Sequence, residues 1–249
     1  MNRIAIGLEG RFSLGGENFV IDMSEGNRAQ STSAAFTIVK NEPYLQVYDD
    51  LAAAFSPRSI LELGIFQGGS YVLLDKLFKP QRMSAVDIRR EPVGPLCHYV
   101  ADKDGRFVHF STSQSDPEAL EHIVRDELVN ELDLVVDDAS HNYEQTKASF
   151  EILFPLLQPG GIYLIEDWSW AHHRDFQSPD APWFERPALS NLLFEQIMLM
   201  SSTSLISEIR VWHFLYLIRK GSGESSGSKG ESGSIFDQIR SRGKKWSLI

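Results

Sequence analysis

Between residues 59 and 165, short apolar runs alternate with longer stretches whose apolar residues recur at helical spacing. Ser59–Leu63, Met83–Asp87, Leu132–Val136 and Gly161–Ile165 read as strands, with Arg106–Phe110 as a further one. Ser70–Phe78, Pro117–Asn130 and Tyr143–Leu157 read as the helices between them, Leu120, Ile123, Val124 and Leu128 forming one stripe. Strands this apolar cannot leave a face in water. Alternating with helices, they demand an α/β fold, a parallel sheet covered by helices on both faces.

The flanks follow other patterns. Tyr44, Leu45, Val47, Tyr48, Leu51, Ala52 and Phe55 give an amphipathic helix over residues 43–55, ended by Pro57. Residues 1 to about 40 are rich in Gly, Ser and Asn and read as an irregular extension. Ala188–Met200 reads as a helix, and Ile206–Val211 with Phe214–Arg219 as a hairpin at the sheet edge. The expected organisation is an N-terminal extension or lid (1–42), a main domain (43–219), a flexible Gly/Ser linker (220–234) and a basic tail (235–249) that docks or stays disordered.

A chain of 249 residues suits one such domain with extensions. Its net charge of −10 disfavours general binding to nucleic acid or to an anionic membrane, because phosphates need clustered cations. The single cysteine, Cys97, allows no intrachain disulfide and no cysteine-rich metal site, and reads as a packing residue. No basic start precedes a long apolar run, and no apolar stretch approaches the roughly 18 residues of a membrane span, so a cytoplasmic protein is expected. The expected partner is a small molecule, and homo-oligomerisation stays open.

Ile60-Leu61-Glu62-Leu63-Gly64-Ile65-Phe66-Gln67-Gly68-Gly69-Ser70 runs from a strand through a glycine-rich turn into a helix. Glycines let a ligand approach the backbone, and the helix start adds unpaired N–H donors. The spacing is G-x-x-x-G-G, so the pyrophosphate fingerprint is missing. Glu62, before the first glycine, disfavours a pyrophosphate and suits a cationic ligand such as S-adenosylmethionine. Asp87 closes the second strand, 23 residues after Gly64, where a carboxylate accepts ribose hydroxyl bonds. These residues resemble the first two motifs of class I S-adenosylmethionine-dependent methyltransferases, over about residues 40–219. The resemblance implies a Rossmann-like, doubly wound, seven-stranded, mostly parallel sheet with a C-terminal antiparallel edge hairpin. It also implies a cofactor site of Glu62, Gly64, Phe66, Gly68, Ser70, Asp87, Ser113, Gln114 and Asp137, with Ser113, Gln114 and Ser115 near the adenine.

A second constellation follows two buried strands. Asp137-Asp138-Ala139-Ser140-His141 and Glu166-Asp167-Trp168 sit at neighbouring strand ends, so their carboxylates crowd. Crowded carboxylates are either partly protonated or hold a cation, and oxygen donors favour Mg²⁺. The alternative to a metal site is that Asp138 and Asp167 cap the next helices and His141 is merely hydrogen-bonded. The pattern resembles metal-dependent sugar O-methyltransferases of macrolide biosynthesis and their cephalosporin hydroxylase-like relatives, except that Ala139 stands where the family usually has Gly. The resemblance implies Asp138, Glu166 and Asp167 as Mg²⁺ ligands and His141 as general base. Trp168, Trp170 and Trp183 form an aromatic wall or ordinary packing, and His172-His173 read as surface. Tyr44 and Phe66 are further pocket candidates.

The expected activity is Mg²⁺-dependent methylation of a hydroxyl on a sugar or hydroxylated secondary metabolite. Three alternatives remain: a phenolic or catechol-like acceptor, a hydroxylase-like oxidoreductase and a non-catalytic binding module.

Overall fold

The computed structural model describes residues 4–24, 26–181, 184–223, 233–241 and 244–245. Two compact units make up the chain, Met1–Ser113 and Gln114–Ile249.

The first unit begins with β1 (Arg11–Leu14), β2 (Glu17–Ile21) and β3 (Phe36–Ile38), which form a three-stranded sheet. β1 and β2 pair antiparallel, and β2 and β3 pair parallel. The expectation of an irregular extension is therefore corrected. Polar composition hid a short aromatic column. Phe12 stacks on Phe19 with ring centroids 4.8 Å apart, Phe19 meets Phe36, and Phe36 meets Tyr99 edge-on at 5.8 Å.

α1 (Glu42–Ala54) starts at Asn41, whose side chain accepts from the Tyr44 amide, and ends before Pro57. β4 (Ser59–Leu63), α2 (Gly69–Phe78), β5 (Arg82–Asp87), α3 (Gly94–Val100) and β6 (Arg106–Phe110) follow. α3 was not anticipated. Pro95 opens it and Leu96 and Tyr99 are its buried residues, too short a pattern to read from sequence.

The second unit carries α4 (Pro117–His122), which runs on into a single π-turn over Ile123–Glu127, then β7 (Leu132–Asp137) and α5 (Tyr143–Leu153). It continues through β8 (Leu157–Glu166), α6 (Ser190–Ser202), β9 (Ile206–Val211) and β10 (Leu215–Lys220). β8 starts at Leu157 rather than Gly161, so the preceding helix is shorter than expected. Pro159-Gly160-Gly161 lies inside the strand, where Gly160 takes φ 82° and the register with β7 shifts between Leu132 and Leu134. Between Leu157 and Ile162 the strand carries three residues more than β7 does between Leu132 and Leu134, and Gly160 takes the positive φ of that excursion without a Cβ penalty.

The large sheet has seven strands in the order β6-β5-β4-β7-β8-β10-β9. The order reverses at β4, and β10 runs antiparallel to both β8 and β9, giving the expected edge hairpin. β4 is buried at all five positions and β7 at five of its six. Among the described residues no helix is long and apolar enough to cross a membrane.

Part of the C-terminal tail docks on its own unit. Ile235, Phe236 and Ile239 are buried, and the Phe236 ring stacks with Phe150 at 5.9 Å. Most of the expected linker, 224–232, falls outside the described residues.

Replacing Phe19 by Ala removes the centre of the aromatic column and should lower stability by about 3–5 kcal/mol in urea unfolding. An effect near zero would show that the N-terminal sheet adds nothing to the cooperative fold.

Candidate active site

In the first unit the glycine loop leaves β4 at Leu63. Gly64 and Gly68 are left-handed at φ 95° and 78°, and Phe66 between them holds φ 46° with its ring 43% exposed. Asp87, at the end of β5, braces this turn. Its Oδ2 accepts from the amides of Ile65 at 2.9 Å and Phe66 at 3.0 Å, and its Oδ1 accepts from Arg89 at 2.8 Å. Arg89 also donates a short bond from its guanidinium to the Phe66 carbonyl. Gly69 admits no side chain, because a Cβ would lie 2.1 Å from the Thr37 carbonyl oxygen. Ser70 is half-buried in the first turn of α2. Glu62 is fully buried within β4. Burial, with Asp75 and Glu62 adding negative charge, holds the Tyr71 hydroxyl well above its ordinary pKa range. Ser113 is half-buried and follows Thr112, whose amide donates to the Asp87 carbonyl at 3.0 Å.

In the second unit Asp138, His141 and Asp167 come together, with one ligand atom of each within 4.8 Å of the others. The His141 Nε2 lies 3.8 Å from Asp138 Oδ1 and 3.8 Å from Asp167 Oδ2. All three side chains reach solvent in part. His141 and Asp167 both hold φ 51°, a conformation that costs a non-glycine residue free energy and persists where surroundings over-determine it. The Trp170 indole N–H donates to the His141 carbonyl at 2.8 Å, and the Asp167 amide donates to Phe214 at 2.7 Å. Among the described helices neither aspartate is the N-cap residue. Asn142 caps α5, accepting from the Glu144 amide, so the capping alternative falls away.

Glu166 does not join this group. It is the last residue of β8, 2% exposed and opposite Leu215 in the ladder. Successive strand residues face opposite sides, so a turn in the backbone at Asp167 is what frees that carboxylate from the strand pattern.

Asp137 and Gln114 form a buried network beneath the Asp138–His141 loop. The Gln114 amide donates to Asp137 Oδ1 at 3.1 Å, while its Oε1 accepts from the Ser140 amide at 3.0 Å. Ser149 and Tyr163 donate to Asp137 Oδ2 at 2.7 and 2.9 Å. Burial pushes the Asp137 carboxyl up to about 6, and those two hydroxyls pull against the shift. Ser149 and Tyr163 escaped the sequence reading, because no spacing rule connects them to Asp137.

A family model for a methyltransferase domain matches residues 61–168. That segment of the chain is similar to a methyltransferase domain. The chain is 28% identical over 145 residues to the 8-demethyl-8-alpha-L-rhamnosyl tetracenomycin-C 2'-O-methyltransferase of Streptomyces olivaceus, covering 54% of this chain and 35% of that protein. It is 44% identical over 54 residues to the mycinamicin VI 2''-O-methyltransferase of Micromonospora griseorubida, covering 22% of this chain and 13% of the relative. Among solved structures, the methyltransferase MycE of the mycinamycin pathway, bound to Mg and SAH, superposes with a TM-score of 0.56. Identity there is 23%, with 72% of this chain and 49% of that one covered. The O-methyltransferase TomG of Streptomyces achromogenes, in complex with SAM, superposes with a TM-score of 0.52 at 18% identity, over 74% of this chain and 82% of its own. The chain thus spans about a third of the tetracenomycin relative and half of MycE.

The aromatic residues after β8 divide by role. Trp168 donates its indole N–H to the Trp212 carbonyl at 2.9 Å and meets Tyr216 edge-on. Trp170 packs edge-on against Phe176 while holding His141. His172 bonds to Ser190, and His173 stacks on His213. Tyr44 is buried on α1, and Trp183 lies outside the described residues.

Replacing Trp170 by Phe keeps the ring and removes the N–H that holds the His141 carbonyl. Unfolding should shift by about 1 kcal/mol, and amide exchange at His141 and Asn142 should accelerate. Unchanged exchange there would show that the bond does not hold the loop.

Proposed function

We propose that this chain is an S-adenosylmethionine-dependent, Mg²⁺-dependent O-methyltransferase acting on a hydroxyl of a sugar or hydroxylated secondary metabolite. The observation that carries the reading is the convergence of Asp138, His141 and Asp167 on loops leaving two adjacent parallel strands, in a chain whose residues 61–168 match a methyltransferase domain model. The sugar O-methyltransferase names of its relatives support the acceptor class.

The donor set fits a hard divalent cation: the carboxylates of Asp138 and Asp167, partly open to water, with a further carboxylate at Glu166 one residue from Asp167. Asp138 and Asp167 would hold Mg²⁺, with Glu166 as a further candidate ligand. A cation there supplies Lewis acidity toward the acceptor hydroxyl. S-adenosylmethionine, when bound, supplies the methyl group on a sulfonium. Gly64, Phe66, Gly68 and Ser70 would hold its amino-acid end, Asp87 its ribose and Ser113 the adenine side, while Glu62 adds negative charge beneath a cationic ligand.

His141 accepts the acceptor proton at Nε2, which both carboxylates flank at 3.8 Å. Those carboxylates stabilise the imidazolium that results. Gln114 and Asp137 act through the loop they brace: with their polar atoms joined to Ser140, Ser149 and Tyr163, they hold the backbone that presents Asp138 and His141.

Calorimetric titration with S-adenosylhomocysteine, with and without Mg²⁺ and with NAD as a control, tests the reading. Binding of S-adenosylhomocysteine and none of NAD is expected; the reverse would end it in favour of the oxidoreductase alternative. With a methyl acceptor in hand, His141→Ala should lower kcat by roughly 10²–10⁴-fold while leaving S-adenosylhomocysteine affinity unchanged. Wild-type turnover would remove His141 as the base. Asp138→Ala should raise the Mg²⁺ concentration needed for half-maximal activity, and an unaltered metal dependence would take Asp138 out of the cation site.

A further inference from the structure

The glycine loop is held from a side the motif does not contain. Ser31, 7% exposed, lies on the segment between β2 and β3. Its hydroxyl donates to the Gln67 carbonyl at 2.7 Å and accepts from the Thr37 amide at 2.9 Å. Its own amide donates to Gln67 Oε1 at 3.1 Å. One small residue thus ties the middle of the loop to the start of β3.

The same segment touches the loop at two further points. At Gly69 the Thr37 carbonyl occupies the place of a side chain. At Phe66 the Arg28 guanidinium lies 5.9 Å from the ring centroid. Asp22 fixes the turn that carries Arg28, its carboxylate accepting from the amide and hydroxyl of Ser24 at 3.0 and 2.6 Å and from the Ala29 amide at 2.6 Å. Residues 26–37 therefore form a strap along the loop from Phe66 to Gly69.

We propose that Ser31 is a positioning residue for the cofactor loop, its hydroxyl setting the orientation of the Gln67 peptide so that the turn from Phe66 to Ser70 keeps the shape the ligand meets. The proposal rests on the reading that this loop takes S-adenosylmethionine. The Gln67 peptide sits between Phe66 and Gly68, both in left-handed conformations. The Gln67 carbonyl shares a peptide with the Gly68 amide, which donates to the Ile65 carbonyl at 2.7 Å, so the loop holds one end of that peptide and the carbonyl end takes its partner from outside. Ser31 ties it. Removing the hydroxyl also strips the Thr37 amide of its acceptor, so the loop and β3 loosen together.

The test is calorimetric titration of the full chain with S-adenosylhomocysteine for wild type, Ser31→Ala and Ser31→Thr, with the unfolding midpoint and amide exchange over residues 65–69 read on the same samples. Ser31→Ala should bind about tenfold more weakly and exchange faster in the loop, while Ser31→Thr, which keeps the hydroxyl, should stay within about twofold of wild type. Equal affinity for Ser31→Ala and wild type overturns the proposal. So does a loss that Ser31→Thr does not restore, because volume rather than the hydroxyl then matters. If Ser31→Ala does not fold, Ser31→Cys, which keeps the shape and leaves only a weak donor to the Gln67 carbonyl, takes its place, and unchanged affinity again overturns the proposal. Wild-type protein that does not bind S-adenosylhomocysteine ends the cofactor reading and this one with it; binding wild type beside an unaffected Ser31→Ala ends this one alone.

Discussion

Burial of the central strands on both faces governs where chemistry can stand in this chain. β4 has no exposed position, and β7 and the second half of β8 are closed in the same way. A charge placed along such a strand loses its water and costs several kcal/mol unless it is partnered. Polar side chains are therefore driven to the strand ends, where the backbone leaves the ladder. The glycine loop, Asp87, the Asp138–His141 loop and Asp167 all stand at C-terminal strand ends of their own units. Glu62 departs from the rule, a carboxylate held inside β4 directly beneath the glycine turn.

Each unit braces its loop with a carboxylate, and the two do it differently. Asp87 is half-buried and accepts three backbone amides, so the loop's own N–H groups set its turn. Asp137 is fully enclosed and accepts from side chains, and burial raises its pKa toward neutrality. The first arrangement leaves the loop dependent on an outside tether, which the N-terminal segment provides through Ser31. The second makes a rigid floor, on which His141 and Asp167 hold backbone conformations that an isolated peptide would abandon.

Most of the sheet was legible in the chain because its signals are local. Apolar runs, helical stripes and the hairpin spacing each report on a few consecutive residues, and the burial they imply leaves few topologies. The misreadings share one cause. The N-terminal sheet lacks long runs, and its stability comes from Phe12, Phe19, Phe36 and Tyr99, spread over some 90 positions. At Gly160 the residue that usually marks a turn serves an excursion within the strand, and only the pairing with β7 tells the two apart.

The sequence by itself determined the alternation of elements, the glycine turn and the residue types that crowd beyond β7 and β8, because those are properties of neighbouring positions. Tertiary structure alone decided which of those residues meet. It joined Asp138, His141 and Asp167, kept Glu166 in the ladder, and turned Gln114 and Asp137 toward each other. It also brought Ser31 to Gln67 across 36 positions. Hydrogen bonds between distant residues leave no period in a sequence; they exist only once packing has paid the entropy of bringing the two segments together.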